Sequence, residues 1–217
     1  MRKTKIVCTL GPATDKEGVL REMMLSGMNV ARFNFSHGSH EECEARLNLL
    51  KEAVKETGKV VGYVADTKGP EMRLGLFKGD RTTLVSGHEF ILTTDDVEGD
   101  ETRVSVNYKG LVKDLNVGDR ILVCNGLVVF EVTELEGSNV HCRTVIGGEM
   151  SNRKSMCFPN KVMTGPYLSQ QDKEDLLFGI ENGVDFVAAS FVSTRQDLIE
   201  LKTFLRENGG GDIEIIS

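Results

Sequence analysis

Short apolar runs alternate with longer segments of mixed polarity near both ends of the chain. Residues 5–10 form an apolar run that Gly11-Pro12 closes, which is typical of a buried strand followed by a loop. A helix is predicted over 15–26, with Thr14 and Asp15 as N-cap candidates. The same pattern predicts strands at 28–33, 60–65, 185–191 and 214–216 and helices at 39–57, 169–182 and 195–208. Strands that alternate with helices at this spacing predict a parallel sheet with right-handed crossovers.

Two of the predicted helices begin with the spacing of a capping box. Ser39 is followed three residues later by Glu42, and Ser169 is followed by Asp172. In a capping box the first side chain accepts a hydrogen bond from the backbone of the fourth residue, whose own side chain reaches back to the first. We therefore expect these helices to begin directly after Ser39 and Ser169.

The pattern changes after Pro70. Short strands separated by Gly, Asp and Asn turns are predicted at 82–85, 89–93, 102–106, 120–123, 127–132 and 140–145. This stretch indicates an all-β domain, a small barrel or a sandwich, inserted into the α/β domain. The predicted division is 1–70 for the first part of the α/β domain, 71–168 for the inserted β domain and 169–217 for the continuation.

The number of strand–helix repeats limits the kind of α/β domain. The chain has 217 residues, and removing the 98 residues of 71–168 leaves 119. At roughly 30 residues per repeat this is about four repeats, half of what a closed (β/α)₈ barrel needs. The alternatives are an open five-stranded sheet and the first half of a barrel. We favour the second, a truncated chain, because a strand begins at 214 and nothing resembling a helix or a polar cap follows Ser217.

Composition excludes some partners. With 26 Lys and Arg against 33 Asp and Glu, the net charge of −7 gives no basic field for a polyanion, so nucleic acid is not expected as the main partner. No apolar run approaches the roughly 18 residues of a membrane span, and the N-terminal run is too short for a secretory signal. We expect a cytoplasmic location and no membrane. The thiols have no spacing typical of a metal or disulfide site and are interpreted as bystanders: Cys8, Cys43, Cys124, Cys142 and Cys157.

Polar side chains follow the predicted strands at the edge where parallel sheets bind ligands. The residues at or beyond these strand ends are Arg32, Asn34, Ser36 and His37 for the second strand, Asp66, Thr67, Lys68, Glu71 and Arg73 for the third, and Ser190 with the apolar Phe191 for the fourth. Arginine suits phosphate, and carboxylate, amide and hydroxyl oxygens suit a hard cation. The sequence therefore predicts a site for a phosphorylated metabolite and a metal ion.

Each of these residues also has a structural interpretation. Asn34 and Ser36 could be loop or capping residues, and Arg32 could form an ion pair with Asp66. The remaining alternatives are a solvated loop histidine at His37, a solvated basic pair at Arg153 and Lys154, and an ion pair of Glu71 with Arg73 or Lys68. Taken one at a time, these residues do not define a reaction.

Longer strings of sequence resemble a known family. They are Thr4-Lys-Ile-Val-Cys-Thr-Leu-Gly-Pro12, Met28-Asn-Val-Ala-Arg-Phe-Asn-Phe-Ser-His-Gly38, Asp66-Thr-Lys-Gly-Pro-Glu-Met-Arg73 and Asn182-Gly-Val-Asp-Phe-Val-Ala-Ala-Ser-Phe191. In order and spacing they resemble pyruvate kinase. The resemblance implies a (β/α)₈ TIM barrel interrupted after strand three by an all-β barrel lid. It also implies transfer of the phosphoryl group of phosphoenolpyruvate to ADP, giving pyruvate and ATP, by a parent enzyme that is a homotetramer.

The resemblance also implies roles for single residues. Arg32 is similar to the arginine that holds the phosphoryl group of phosphoenolpyruvate. The implied potassium ligands are Asn34, Ser36, Asp66 and Thr67; the implied nucleotide contacts are Asn34, Phe35, Ser36, His37, Arg73 and Lys154. Glu71 is similar to a residue that sets the dependence on K⁺.

In the family, the catalytic lysine and then the Mg²⁺ carboxylates would come after Ser217. We therefore expect no catalytic residue in this chain and no pyruvate kinase turnover by it alone. Two alternatives stay open. One is a non-catalytic module that binds a nucleotide or a phosphorylated metabolite. The other is a different barrel enzyme, such as a lyase acting on oxo-acids at a metal enolate, against which the strings around Asn34 and Asp66 argue.

Overall fold

The computed structural model describes residues 3–36 and 38–217. They form two compact units, Met1–Pro70 with Pro166–Ser217, and Glu71–Gly165. We refer to them as the α/β unit and the β unit. No helix within the described ranges is long and apolar enough to cross a membrane.

The elements follow one another as the sequence pattern predicts, with additions in the β unit. In chain order the described residues form β1 (Val7–Thr9), α1 (Val19–Ser26), β2 (Val30–Asn34), α2 (His40–Thr57), β3 (Gly62–Asp66), β4 (Arg81–Leu84), β5 (Glu89–Thr93), β6 (Arg103–Ser105), α3 (Leu111–Asp114), β7 (Arg120–Val123), a 3₁₀ turn (Cys124–Gly126), β8 (Val128–Glu136), β9 (Asn139–Ile146), β10 (Gly148–Ser151), β11 (Met156–Cys157), α4 (Gln170–Glu181), β12 (Phe186–Ala188), α5 (Arg195–Glu207) and β13 (Glu214–Ile216).

The α/β unit contains a parallel five-stranded sheet in the order β1-β2-β3-β12-β13. One apolar core lies around α1 and α2, with Met24, Ala31 and Leu50 almost fully buried. A second core surrounds α4 and α5, with Leu176 and Leu201 at its centre. The predicted parallel sheet with helical crossovers is confirmed, because each helix covers the sheet with the apolar positions that its period brings to one face.

The sequence predicts the starts of α2 and α4 correctly but not the start of α1. The capping box at α4 is confirmed, with Ser169 and Asp172 bonded in both directions. Ser39 caps α2 by accepting from the Glu42 N–H at 3.4 Å. The carboxylate of Glu42, however, lies 3.6 Å from Nη1 of Arg46.

The predicted start of α1 at residue 15 is wrong. The helix begins at Val19, after Gly18 with φ 76°. Thr14 instead closes a turn, since its hydroxyl donates to the Gly11 carbonyl at 2.8 Å. Asp15 accepts from Arg46 Nε at 2.9 Å. Both candidate caps are therefore engaged elsewhere.

The β unit contains a two-stranded sheet, β4 with β10, and a six-stranded sheet in the order β11-β7-β8-β9-β5-β6. Its core includes the stacked rings of Phe90 and Phe130, whose centroids lie 5.4 Å apart. The sequence pattern does not predict β10, β11 or α3. These elements have 4, 2 and 4 residues, which is too short to show a hydrophobic period.

One predicted boundary needs correction. Tyr167 and Leu168 were expected in the inserted β domain, but both belong to the α/β unit and are buried in its second core. Their apolar character alone could not assign them, because both units offer an apolar core.

Candidate anion and cation site at the carboxyl end of the sheet

The predicted site residues of the α/β unit meet because neighbouring strands end at the same level. In the parallel pairing of β2 with β3, Asn34 lies opposite Asp66. In the pairing of β3 with β12, Asp66 lies opposite Ala188. The predicted strand 185–191 ends at Ala188, so Ser190 lies in the loop beyond the sheet edge. The carboxyl ends of three strands therefore deliver their polar residues to one place.

Arg32 is held by the strands on both sides of it. Its Nε donates to Asp66 Oδ2 at 2.7 Å, and its Nη2 donates to the same oxygen. Its Nη1 donates to the hydroxyl of Thr9, the last residue of β1, at 2.7 Å. The side chain is still 31% exposed. The guanidinium is thus oriented by protein groups and remains accessible to an anion.

Asp66 is the centre of the site. Its second oxygen, Oδ1, accepts from the Ser190 hydroxyl at 2.9 Å. The Ser190 N–H donates to Thr67 Oγ1 at 3.2 Å, and the Thr67 N–H donates to the Ala188 carbonyl at 3.1 Å. Asp66 and Thr67 are both buried, with 8% and 1% exposure. The carboxylate therefore ties Arg32 on one side to the loop after β12 on the other.

The loop after β2 is joined to Asp66 through the backbone. The Phe35 N–H donates to the Asp66 carbonyl at 3.0 Å. The Ser36 N–H donates to Asn34 Oδ1 at 3.0 Å. His37, predicted to contact nucleotide, lies outside the described residues. The structure thus brings Asn34, Phe35 and Ser36 to the same edge as Asp66.

The oxygen atoms at this edge are of the kinds that bind hard cations. Carboxylate, amide, hydroxyl and main-chain carbonyl oxygens are the ligands of hard cations. The Thr67 hydroxyl donates to the Ala188 carbonyl at 3.2 Å. Among the described residues, no three His, Cys, Asp or Glu side chains lie close enough together to hold a metal ion. The oxygens that could hold a cation are therefore those of Asn34, Ser36, Asp66 and Thr67.

Three other predicted residues lie in the β unit. The Glu71 carboxylate pairs with Arg73, at 2.7 Å from Nη2 and 2.8 Å from Nε. Arg73 Nη1 also donates to the Arg153 carbonyl at 2.7 Å. The Lys154 carbonyl accepts from the Leu74 N–H at 2.9 Å. The structural alternative for Glu71, an ion pair with Arg73, is therefore present.

Sequence reasoning missed three contributors to the site. Thr9 binds Arg32, as described above. The Tyr167 hydroxyl donates to the Ser190 carbonyl at 3.1 Å. Burial raises the pKa of Tyr167 to about 12, so the hydroxyl keeps its proton and stays a donor at neutral pH. Asp172 had a predicted capping role, but its Oδ1 also accepts from the Gly69 N–H at 2.9 Å. Only the capping role has a local signal in the sequence.

A parallel α/β sheet with polar side chains gathered at its carboxyl edge defines the class of α/β proteins that bind ligands beyond the ends of their strands. Comparison with known sequences identifies the family within this class. The chain belongs to the pyruvate kinase family, because the model described as "Pyruvate kinase, barrel domain" matches residues 1–217.

Curated relatives agree with this assignment. The chain is 42% identical to proteins named pyruvate kinase from Sporosarcina psychrophila and Bacillus licheniformis, over 100% of its own length and 37% of theirs. It is 40% identical to a pyruvate kinase from Clostridium perfringens, over 100% of its length and 46% of the relative's. The chain thus spans less than half the length of these relatives.

Proposed function

We propose that this chain supplies the phosphoenolpyruvate site of a pyruvate kinase, which transfers a phosphoryl group from phosphoenolpyruvate to ADP. The observation that carries the proposal is the Arg32 guanidinium, fixed by Asp66 and Thr9 and 31% exposed. A planar cation held in this way offers its remaining N–H groups to phosphoryl oxygens without first losing its own freedom of movement. Family membership supports the same substrate.

The proposed architecture is the first half of a (β/α)₈ barrel, interrupted after β3 by the β unit as a lid domain. Strand order supports it, since each strand of the five-stranded sheet lies next to its predecessor in the α/β unit. A barrel that closes in chain order has this succession. In an open doubly wound sheet, by contrast, the order in which successive strands are added usually reverses at a switch point.

The proposed cation is K⁺, held by oxygens of Asn34, Ser36, Asp66 and Thr67. A monovalent cation there would supply positive charge beside the phosphoryl group, where electrostatic stabilisation is the main source of catalysis. Asp66 would then serve two groups, orienting Arg32 through Oδ2 while the carboxylate faces the cation. No step is assigned to Mg²⁺ in this chain.

The proposed nucleotide contacts fall in both units. Asn34 ends β2, and Phe35 and Ser36 follow it in a loop whose backbone is tied to Asp66. His37 belongs to the same loop by sequence. In the β unit, Arg73 and Lys154 are the proposed contacts. The donors of Arg73 are partly used, since Glu71 and the Arg153 carbonyl take three of its N–H groups.

Calorimetry with phosphoenolpyruvate tests the proposal. In KCl we expect the 217-residue chain to bind it, and we expect Arg32→Ala to weaken binding about tenfold or more, because a charged hydrogen-bond donor is lost. Arg32→Lys keeps the charge but not the fork and should be intermediate. Arg21→Ala, at an exposed ion pair, is the control and should bind as the unmodified chain does. Binding that is absent, or that does not depend on Arg32, contradicts the proposal.

A coupled assay distinguishes an enzyme from a binding module. We expect no ATP formation by the 217-residue chain and ATP formation by the same residues within a protein of the relatives' length. Binding without turnover in both proteins would favour the module that binds a nucleotide or phosphometabolite. Turnover of phosphoenolpyruvate without ADP would favour a different barrel enzyme.

A further inference from the structure

We infer that Asp172 and Tyr167 are positioning residues, which hold the loops after β3 and β12 in the arrangement that orients Arg32. The identity of the ligand rests on the proposed function, whereas the positioning itself is a property of the α/β unit. Neither side chain is among the predicted site residues. Both act from the segment just before and within the first turn of α4.

The two capping boxes of the α/β unit show what is unusual about Asp172. At α5, Asp197 uses both carboxylate oxygens locally: Oδ2 accepts from the backbone of Ser193 and Thr194, and Oδ1 accepts from the Thr194 hydroxyl at 2.8 Å. At α4, Asp172 makes both of its contacts to Ser169 with Oδ2 alone, at 3.0 Å to the N–H and 2.5 Å to the hydroxyl. Oδ1 is thereby left for Gly69.

The bond to Gly69 is formed inside the protein. Asp172 has no exposed surface, and its Oδ1 accepts the Gly69 N–H at 2.9 Å. Gly69 comes three residues after Asp66, in the same loop as Thr67. A buried carboxylate with a backbone donor fixes that donor firmly, because either group would lose a partner if the loop moved.

Gly69 also lies against the loop after β12. Its φ is 62°, and a Cβ placed on it would come within 2.5 Å of the Ser190 carbonyl oxygen. That same carbonyl accepts from the Tyr167 hydroxyl at 3.1 Å. The loops therefore pass each other with no space for a side chain, and Tyr167 and Asp172 each bind one of them.

Two further hydrogen bonds connect the contact between Gly69 and Ser190 to Arg32. The Ser190 hydroxyl donates to Asp66 Oδ1 at 2.9 Å. The other oxygen of Asp66 accepts from Arg32 Nε at 2.7 Å. If Asp172 or Tyr167 loses its bond, the loops can separate, Ser190 shifts, and Asp66 is no longer held on the side opposite Arg32.

Nuclear magnetic resonance of the 217-residue chain tests the positioning without any ligand. We expect Asp172→Ala to speed hydrogen exchange of the Gly69 amide about tenfold or more, since that amide loses its acceptor. We also expect the Arg32 Nε–H signal to change, since Asp66, which accepts from Arg32, is no longer held in place. Asp197→Ala removes the equivalent capping carboxylate from α5 and is the matched control. It should lower the melting temperature but leave the Gly69 and Arg32 signals unchanged.

A second variant keeps the test decisive if Asp172→Ala does not fold. Tyr167→Phe keeps the buried ring and removes only the hydroxyl, and it should also change the Arg32 Nε–H signal. Unchanged Arg32 signals in Tyr167→Phe and in any folded Asp172 variant would overturn the inference. So would equal changes in Asp197→Ala, because loss of a helix cap would then explain them.

Binding of phosphoenolpyruvate in KCl separates this inference from the proposed function. If the unmodified chain binds, Asp172→Ala or Tyr167→Phe should weaken binding about tenfold, whereas Asp197→Ala should not. Equal binding by all variants would overturn the positioning role. If the unmodified chain does not bind, the proposed function fails, and the exchange and Arg32 measurements still decide the inference.

Discussion

His40 and Asp175 join α2 to α4 within the α/β unit. His40 Nε2 lies 2.7 Å from Asp175 Oδ1, and the imidazole stacks on Phe178 with centroids 4.5 Å apart. Gln171 donates to the same carboxylate oxygen at 2.9 Å. The other oxygen of Asp175 is buried and has no hydrogen-bond partner among the described residues. The buried carboxylate therefore depends strongly on His40.

Removing this imidazole should destabilise the α/β unit. We expect His40→Ala to lower the free energy of unfolding by about 2 kcal/mol, since a buried carboxylate loses a donor and Phe178 loses its stacking partner. Urea unfolding measures the change. His88→Ala, which loses one bond to the Glu101 carbonyl in the β unit, is the control and should stay within about 0.5 kcal/mol. Equal effects of the two substitutions would contradict this account.

Glu71 carries a prediction about cation dependence. In the proposed function the carboxylates of Asp66 and Glu71 both oppose the binding of a phosphate group, which should therefore need a cation. We therefore expect K⁺ dependence of ATP formation in a protein of the relatives' length that contains these residues. Glu71→Lys should relieve this dependence and keep part of the activity, because the lysine supplies the positive charge.

The ion pair of Glu71 with Arg73 calls for a control that breaks the pair without adding charge. Glu71→Gln does this, and it should leave the dependence on K⁺ in place. Steady-state rates with K⁺ and with tetramethylammonium give the comparison. Full activity of the unmodified protein in potassium- and sodium-free buffer, or equal relief by both variants, would show that the charge argument is wrong.

At the scale of elements, the capping box of α5 should contribute measurably to stability. Burial acts to raise the pKa of Asp197, but the hydrogen bonds from Ser193 and Thr194 together outweigh it, so the pKa lies below its ordinary value. We expect Thr194→Ala to cost about 1 kcal/mol in urea unfolding at neutral pH. Lys202→Ala, on the exposed side of the same helix, should cost much less.

The pH dependence of this cost has a definite sign. A carboxyl group whose pKa is lower in the folded state stabilises that state above its ordinary pKa of 3.8. The stabilisation is lost as the pH falls through the lowered value. The difference between Thr194→Ala and the unmodified chain should therefore shrink below about pH 3.8. A difference that grows on acidification would refute this assignment.

At the scale of the whole molecule, the two units differ in how their sheets end. In the described part of the α/β unit, β1 and β13 each pair on one side, and Val7 and Ile216 are 54% and 51% exposed. In the β unit, β8 pairs with both β7 and β9 over long registers. Exposed edges with apolar side chains open easily and attract other strands.

Hydrogen exchange should reflect this difference. We expect the slowest amides in β8 and β9 and faster exchange in β1 and β13 of the dilute 217-residue chain. At higher concentration, pairing between copies should protect the edge strands, and size-exclusion chromatography should show association. Uniformly slow exchange in both units of a dilute monomer would contradict the prediction.

Features that depend on near neighbours along the chain could be predicted from the amino-acid sequence. Alternating strands and helices, the capping box at Ser169 and the polar residues at strand ends all involve groups a few positions apart. Arg32 and Asp66 were singled out for the same reason, because each lies within or just after the last two residues of a predicted strand. The family strings then implied a particular substrate and cation, which local chemistry left open and which are part of the proposed function.

Tertiary structure decided the features that depend on distant partners. α1 begins later than predicted, because Asp15 binds Arg46, 31 positions away, instead of capping the helix. Asp172 accepts a hydrogen bond from Gly69, which lies 103 positions away in the sequence. Tyr167 donates to Ser190, which lies 23 positions away. A carboxylate in a capping box has two oxygens, and the sequence motif specifies a partner only for the helix end. Whether the second oxygen has a partner depends on which loop the folded chain brings to it.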